Sequence, residues 1–283
     1  MSTVKAALSL LKWILINSVL CRPIQKLLET LPLTLSSRVL QEIDIVRALD
    51  YDKARLLLRV HSVSERSRLK SCAKEPRTVR WIEENTSKYR VFYDIGANVG
   101  AYSLIAASVA EDMKVFAFEP SFSTYGTLVK NTLLNRLEQR VHTYPVALAN
   151  HTGETRIHMS SIASGAAEHS VDRPVDMYGE VFTPMAVLGV LAFQMDAFRK
   201  MFELPCPEFL KIDVDGNELE VLLGGAQTLS NPALRSILVE VREDSDLERA
   251  VRDLLAQFGF LHTGTGYATS AGFANLEFER DGG

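Results

Sequence analysis

The chain has 283 residues, 47% of them apolar and 23% charged, which excludes a disordered chain and leaves room for one large domain with an extension. A net charge of −4 carries no basic footprint and argues against a nucleic-acid partner. Cys21, Cys72 and Cys206 have neither zinc-ligand spacing nor an even disulfide framework, as suits a reducing compartment.

In chain order, the apolar run from Ala6 to Leu20 is interrupted by Lys12, too soon for a membrane span, and no small-residue cleavage site follows. Val4, Ala7, Leu8, Leu11 and Leu15 share one helical face and Lys5, Ser9 and Lys12 another. The spacing predicts an amphipathic helix docked on the rest of the protein. Membrane contact is expected only through this helix, where Lys5, Lys12, Arg22 and Lys26 would assist it, so the expected location is cytoplasmic and at most membrane-peripheral. Residues 1–88 read as a helical N-terminal extension, with Leu40, Ile43, Val46, Leu49, Leu56 and Leu57 at helical spacing and Pro76 opening a helix over 77–84.

From residue 89 to 283 the pattern alternates. Apolar runs at 91–95, 114–118, 141–148, 209–214 and 236–241 are interleaved with helical patterns at 101–110, 125–137, 218–223 and 247–258. Such alternation predicts a doubly wound α/β domain on a mostly parallel sheet. Glycine-separated segments at 260–263 and 275–278 add an antiparallel pair at one edge. An insertion over about 150–207 interrupts the order with a turn at 150–153, an alternating piece at 155–159 and a small-residue loop at 160–170. Loops of this length inside a compact domain are usually functional or disordered. The apolar stretch from Met177 to Phe193 reads equally as a lid, acceptor pocket or oligomer contact, or as a helix packed on the core.

Tyr93-Asp94-Ile95-Gly96-Ala97-Asn98-Val99-Gly100 carries the most information: a strand closes on an acid, then a glycine turn enters a helix that holds Ser103. Glu119 closes the second strand, where a carboxylate can accept both hydroxyls of a ribose. A dinucleotide site would want a second glycine where Asn98 stands, which also disfavours a nicotinamide-dependent oxidoreductase, and the Gly-Lys-Ser/Thr of a phosphate loop is absent. Asp94 would repel a pyrophosphate but suits the ammonium of an aminoacyl nucleoside, so S-adenosylmethionine is the expected cofactor, held by Asp94, Gly96, Ala97, Asn98, Gly100, Ser103 and Glu119. Helix capping is the plainer role open to Asp94 or Asn98.

Together, Val91–Gly100, Phe118-Glu119-Pro120, Lys211-Ile212-Asp213-Val214-Asp215-Gly216-Asn217-Glu218 and Ile237–Val241 resemble the FkbM family of methyltransferases over roughly residues 75–241. The resemblance implies a class I, Rossmann-like S-adenosylmethionine-dependent fold and O-methylation of a hydroxyl on a sugar, glycan or natural product. Members often carry Glu where this chain has Asp215, which shortens that side chain by one carbon.

A hydroxyl is a poor nucleophile, so a general base or a metal should assist. Asp213, Asp215 and Glu218 form the candidate catalytic cluster after the fourth strand, with Lys211 on the same face as a salt-bridge partner. A base is favoured over a divalent cation, because sequence names no further oxygen ligand; no metal is assigned. Asp215 with Glu218 three residues on also has capping-box spacing. His169 is a weaker candidate base, since lone loop histidines are usually solvated. The competing function is a non-catalytic nucleoside-binding scaffold on the same fold. The sequence names neither the acceptor nor an oligomeric state.

Overall fold

The computed structural model describes residues 23, 26, 29–42, 44–166, 169–175, 178–267 and 272–280. The amphipathic segment expected at residues 4–15, and with it the expected membrane contact, lies outside them. Among the described residues no helix is long and apolar enough to cross a membrane. The chain divides into two compact units, Met1–Ile45 and Val46–Gly283, the first containing the helix Leu33–Glu42.

Two short strands open the second unit, β1 (Val46–Ala48) and β2 (Leu57–Arg59), paired antiparallel. They replace the helical reading of Val46 to Leu57. Leu49, Leu56 and Leu58 are buried in the same core as Phe92 and Leu104, and so are Trp81 and Ile82 of the helix Pro76–Thr86. That helix is tied to the far edge of the domain by Arg77, whose Nε donates to Glu277 Oε1 at 2.6 Å.

The alternating part follows as β3 (Val91–Ile95), β4 (Lys114–Phe118), β5 (Val141–Tyr144), β6 (Ala147–Leu148), β7 (Gly153–Met159), β8 (His169–Val171), β9 (Ala186–Phe193), β10 (Phe209–Ile212), β11 (Ser236–Arg242), β12 (Phe260–Tyr267) and β13 (Phe273–Arg280). Seven of these form the main sheet in the order β12-β13-β11-β10-β3-β4-β5. β11, β10, β3, β4 and β5 run parallel, and β13 is antiparallel to both of its neighbours. The topology is a class I, Rossmann-like doubly wound sheet. Successive strands leave β3 in one direction and β10 in the other, so the switch point lies between these two strands, where such sheets bind ligands beyond the carboxyl ends.

Side-chain alternation divides the core between the two faces of this sheet. Phe92, Val115, Ala117, Phe209 and Leu238 pack on one face with Leu104 and Ile105 of the helix Ala101–Val109. Tyr93, Ile95, Phe118, Leu210, Ile212 and Val239 pack on the other with Val251 and Leu255 of the helix Asp246–Gln257.

The insertion builds a second, four-stranded sheet in the order β6-β9-β7-β8. The run read as one strand at 141–148 therefore changes sheets after Tyr144. Its neighbour β9 is a strand and not the packed helix also entertained for that stretch. Burial alternates along it, but its outward residues Val187 and Leu191 are apolar too.

Candidate active site

The turn after β3 is shaped by residues that tolerate left-handed backbone. Gly96 (φ 80°), Asn98 (φ 51°) and Gly100 (φ 90°) wind it tightly, and Gly100 begins the helix Ala101–Val109. A Cβ at Gly96 would stand 1.8 Å from the carbonyl oxygen of Asp213, so the turn and the end of β10 touch backbone to backbone. The N–H groups of Gly96 and Ala97 both donate to Phe118 O at 3.0 Å, which ties the turn to β4 as well.

Glu119 closes β4 and is buried. Its Oε2 accepts from the N–H of Asn98 at 3.0 Å and its Oε1 from the N–H of Ser121 at 2.8 Å. Burial lifts its carboxyl to about 7 against the pull of these two N–H groups. Each oxygen retains a lone pair, and the side chain lines a cavity of about 150 Å³ at the switch point. Gly96, Asn98, Asp213, Asp215 and Glu240 line the same cavity, with Ile95, Phe118 and Leu148 as its apolar wall.

Asp94 is placed otherwise. It alternates with Tyr93 and Ile95 onto the face of the helix Ala101–Val109, is wholly buried, and is absent from the cavity wall, as are Ala97, Gly100 and Ser103. Ser103 Oγ donates to Asp94 Oδ2 at 2.5 Å, while Oδ1 is buried without a partner. Burial raises its carboxyl, with the Lys211 ammonium opposing. Asp94 stands beside Lys211 in the β3–β10 register. The expectation that two acids at adjacent strand tips face one cavity is met by Glu119 alone.

Of the three residues expected to be catalytic, Asp213 and Asp215 line the cavity. Lys211 is fully buried, and its Nζ donates to Asp213 Oδ2 at 2.8 Å and lies 5.1 Å from the centre of the Tyr102 ring. Burial would lower the ammonium, but Asp213, Asp94 and Glu75 outweigh it and keep Lys211 charged. Burial likewise opposes ionisation of Asp213, yet Lys211 and a hydrogen bond with Glu240 hold its carboxyl below the usual range. Glu240 goes the opposite way, raised by burial and by the Asp213 charge. Asp215 sits at φ 56°, and its Oδ2 receives the N–H of His169 at 3.4 Å.

Glu218 is not on the cavity wall. Its Oε1 accepts the N–H groups of Val214 (3.2 Å) and Gly216 (3.1 Å), clamping the loop after β10, and Oε2 is buried without a partner. Burial pushes its carboxyl up to about 7. This is a loop-shaping role of the kind that capping-box spacing suggests, with Asn217 as the cap residue in place of Asp215.

Three charged wall residues were not singled out by the sequence. Glu240 lies inside β11, two residues before its end, and an acid within an apolar run was the available signal. Arg68 and Lys74 bring cations to the wall from the region before the alternating pattern, where nothing marked them. Arg68 also donates through Nη2 to Gly165 O at 3.2 Å. His169 lines the cavity with both ring nitrogens buried and unpartnered, and burial lowers its pKa, which leaves the ring neutral. Among the described residues no cluster of three His, Cys, Asp or Glu side chains is arranged to hold a metal ion.

The donor set fits an aminoacyl sulfonium nucleoside. A carboxylate on the wall at the end of β4 can take ribose hydroxyls, apolar side chains border it, and the further carboxylates of Asp213 and Asp215 on the same wall suit a cationic ligand.

A family model described as the methyltransferase FkbM domain matches residues 94–261, more than half of the chain. Hexuronic acid methyltransferase AglP of Haloferax volcanii is 29% identical over 187 residues, covering 66% of this chain and 70% of that protein. Methyltransferase sdnD of Sordaria araneosa is 25% identical over 187 residues, covering 59% of this chain and 72% of that protein. The crystal structure of methyltransferase FkbM from Methylobacillus flagellatus KT superposes with a TM-score of 0.47 at 14% identity, covering 76% of this chain. The match spans about half of that longer chain, 52%.

Proposed function

The chain belongs to the FkbM methyltransferase family, and from that premise we propose that it transfers a methyl group from S-adenosylmethionine to a hydroxyl oxygen of a sugar acceptor. The observation that carries this reading is one cavity at the switch point walled by Glu119 from β4 and by Asp213 and Asp215 from the end of β10. The cofactor supplies a methyl group already activated on a sulfonium, so the protein's work is alignment and removal of one proton.

Glu119 takes the ribose hydroxyls and the turn Gly96–Gly100 lets the nucleoside approach the backbone, while Asp94, beneath that turn, is held by Ser103. Asp213 accepts the acceptor's proton. Its low pKa is no obstacle, because the hydroxyl becomes strongly acidic as its oxygen gains the methyl group. Lys211, bonded to Asp213, keeps that carboxylate ionised and oriented, while the carboxyl of Glu240 is shifted the opposite way, so Asp213 is assigned as the base. The acceptor class is drawn from the relative that methylates hexuronic acid, and Arg68 and Lys74 on the same wall suit a carboxylate-bearing sugar.

The test is incubation of the purified protein with isotopically labelled S-adenosylmethionine and a panel of neutral sugars and uronates, read by mass. A gain of one methyl group that survives mild alkali marks an ether and supports the reading. An alkali-labile methyl marks an ester, made on a carboxylate that needs no base, and removes Asp213 from that role. Binding of S-adenosylhomocysteine with no product on any acceptor would instead favour a nucleoside-binding scaffold.

A further inference from the structure

A second, wider cavity of about 600 Å³ lies outside the first. Next to both lies a small recess of about 10 Å³, lined also by Glu218, that shares Asp215 and Glu240 with the wall of the inner cavity and Gly216 and Arg242 with that of the outer one. One strand and one loop thus contribute to the walls of both cavities. Glu240 and Arg242, two residues apart on β11, project to the same side, one at each cavity, and the loop after β10 passes Asp215 inward and Gly216 outward. The insertion contributes to both cavities, with His169 at the inner one and Tyr178 at the outer one.

The outer cavity has the chemistry of a saccharide site. Tyr178 is 46% exposed, yet its ring is fixed on two sides. Phe273 meets it edge-on with centroids 5.4 Å apart, and the Arg242 guanidinium lies 5.7 Å from its centre while donating to the Tyr178 carbonyl at 2.7 Å. An immobilised, half-exposed aromatic ring can take the apolar face of a pyranose at little entropic cost. Among the described residues the wall carries the carboxylates of Glu220, Glu243, Asp244 and Asp246 against the guanidiniums of Arg242 and Arg249. That set offers acceptors and donors to hydroxyl groups, and its excess of negative charge disfavours a second anionic unit.

Resting on the sugar reading above, we propose that this outer cavity is a subsite for an uncharged hexose next to the methylated unit, so that the acceptor is an oligosaccharide rather than a free sugar. The experiment compares kcat/KM for methyl β-D-glucuronide, for a trisaccharide of glucuronate followed by two neutral hexoses, and for an all-glucuronate trisaccharide. The proposal expects the neutral-tailed trisaccharide to exceed the monosaccharide by about tenfold or more through KM, as one added subsite contact would give. The all-uronate chain should show no such gain. Tyr178→Ala and Arg242→Gln, each checked for folding by thermal melting, should each collapse the ratio to near unity. A wild-type ratio near unity, a ratio unchanged in both variants, or a preference for the all-uronate chain overturns the subsite. Failure of the sugar reading looks different, since then neither the monosaccharide nor the longer chains are methylated at all.

Discussion

Lys211 holds its ammonium among carboxylates with 1% of its surface exposed, because β10 turns it onto the same face as Asp94 of β3 and Glu240 of β11. A buried cation of this kind is worth most as the partner of what surrounds it. Lys211→Met would leave Asp213 and Asp94 without their counter-charge, and should destabilise the protein by about 3–5 kcal/mol in urea unfolding, as removing one member of a buried pair does. Glu119 yields a second expectation. Glu119→Ala should weaken S-adenosylhomocysteine by about 1.5–3 kcal/mol in calorimetry, the range for hydrogen bonds to a charged group. The pH dependence has a definite sign. With its carboxyl at about 7 in the free protein, Glu119 must lose a proton before accepting two hydroxyls, so affinity should be flat above pH 7 and fall below it. In Glu119→Gln that fall should vanish, and its persistence would assign it to another group.

The turn joining β3 to its helix is the element on which the cavity depends, and two glycines in this half of the sheet separate backbone need from mere tolerance. Gly96→Ala places a methyl against the Asp213 carbonyl at a positive φ, and should cost at least about 3 kcal/mol of stability. Gly126, inside the helix Phe122–Leu134, has open space where a Cβ would project, with nothing within 4 Å, so Gly126→Ala should stabilise by about 0.5–1 kcal/mol. Chemical denaturation of both reads the contrast directly. Elements with one clear period were legible in the sequence: β3, β4 and the helix Glu218–Leu223 match their expected bounds. β1 and β2 were not, since three residues each are too few to display alternation and their apolar residues also fit helical spacing. β9 was missed for another reason: both of its faces are apolar, so period two leaves no trace in composition. The candidate site was legible as a set of acids at or near strand ends. What the string of residues withheld was the face each acid takes, and that separates Glu119, on the wall, from Asp94, beneath the turn, and Asp213 from Glu218.

Across the whole molecule, the parallel strands end in a seam of acids that the fold keeps largely out of water, and this couples stability to pH. Glu119 and Glu218 both carry carboxyls raised from an ordinary 4.5 to about 7 by burial. Below pH 4.5 each is protonated in the folded and the unfolded chain and costs nothing. As pH rises from 4.5 to 7 the unfolded chain releases its protons first, so stability falls, and above 7 the loss is complete and constant. Asp213 acts in the opposite sense: its depressed carboxyl adds stability above its unfolded value near 3.8, and this is lost as the solution is acidified through the folded value. The two windows do not overlap, so they can be measured apart. Glu218 is the cleaner probe, being off the wall that Glu119 lines, and unfolding is followed without ligand. In Glu218→Gln the side-chain carbonyl can still accept the N–H groups of Val214 and Gly216, but nothing titrates. Whatever constant offset the amide introduces, the difference in unfolding free energy between pH 4.5 and pH 8 should shrink relative to wild type by up to about 3 kcal/mol. Urea unfolding at the two pH values measures it. An unchanged difference would mean that Glu218 is ionised in the folded protein at pH 4.5 already, and that the clamp on the loop after β10 is a carboxylate throughout.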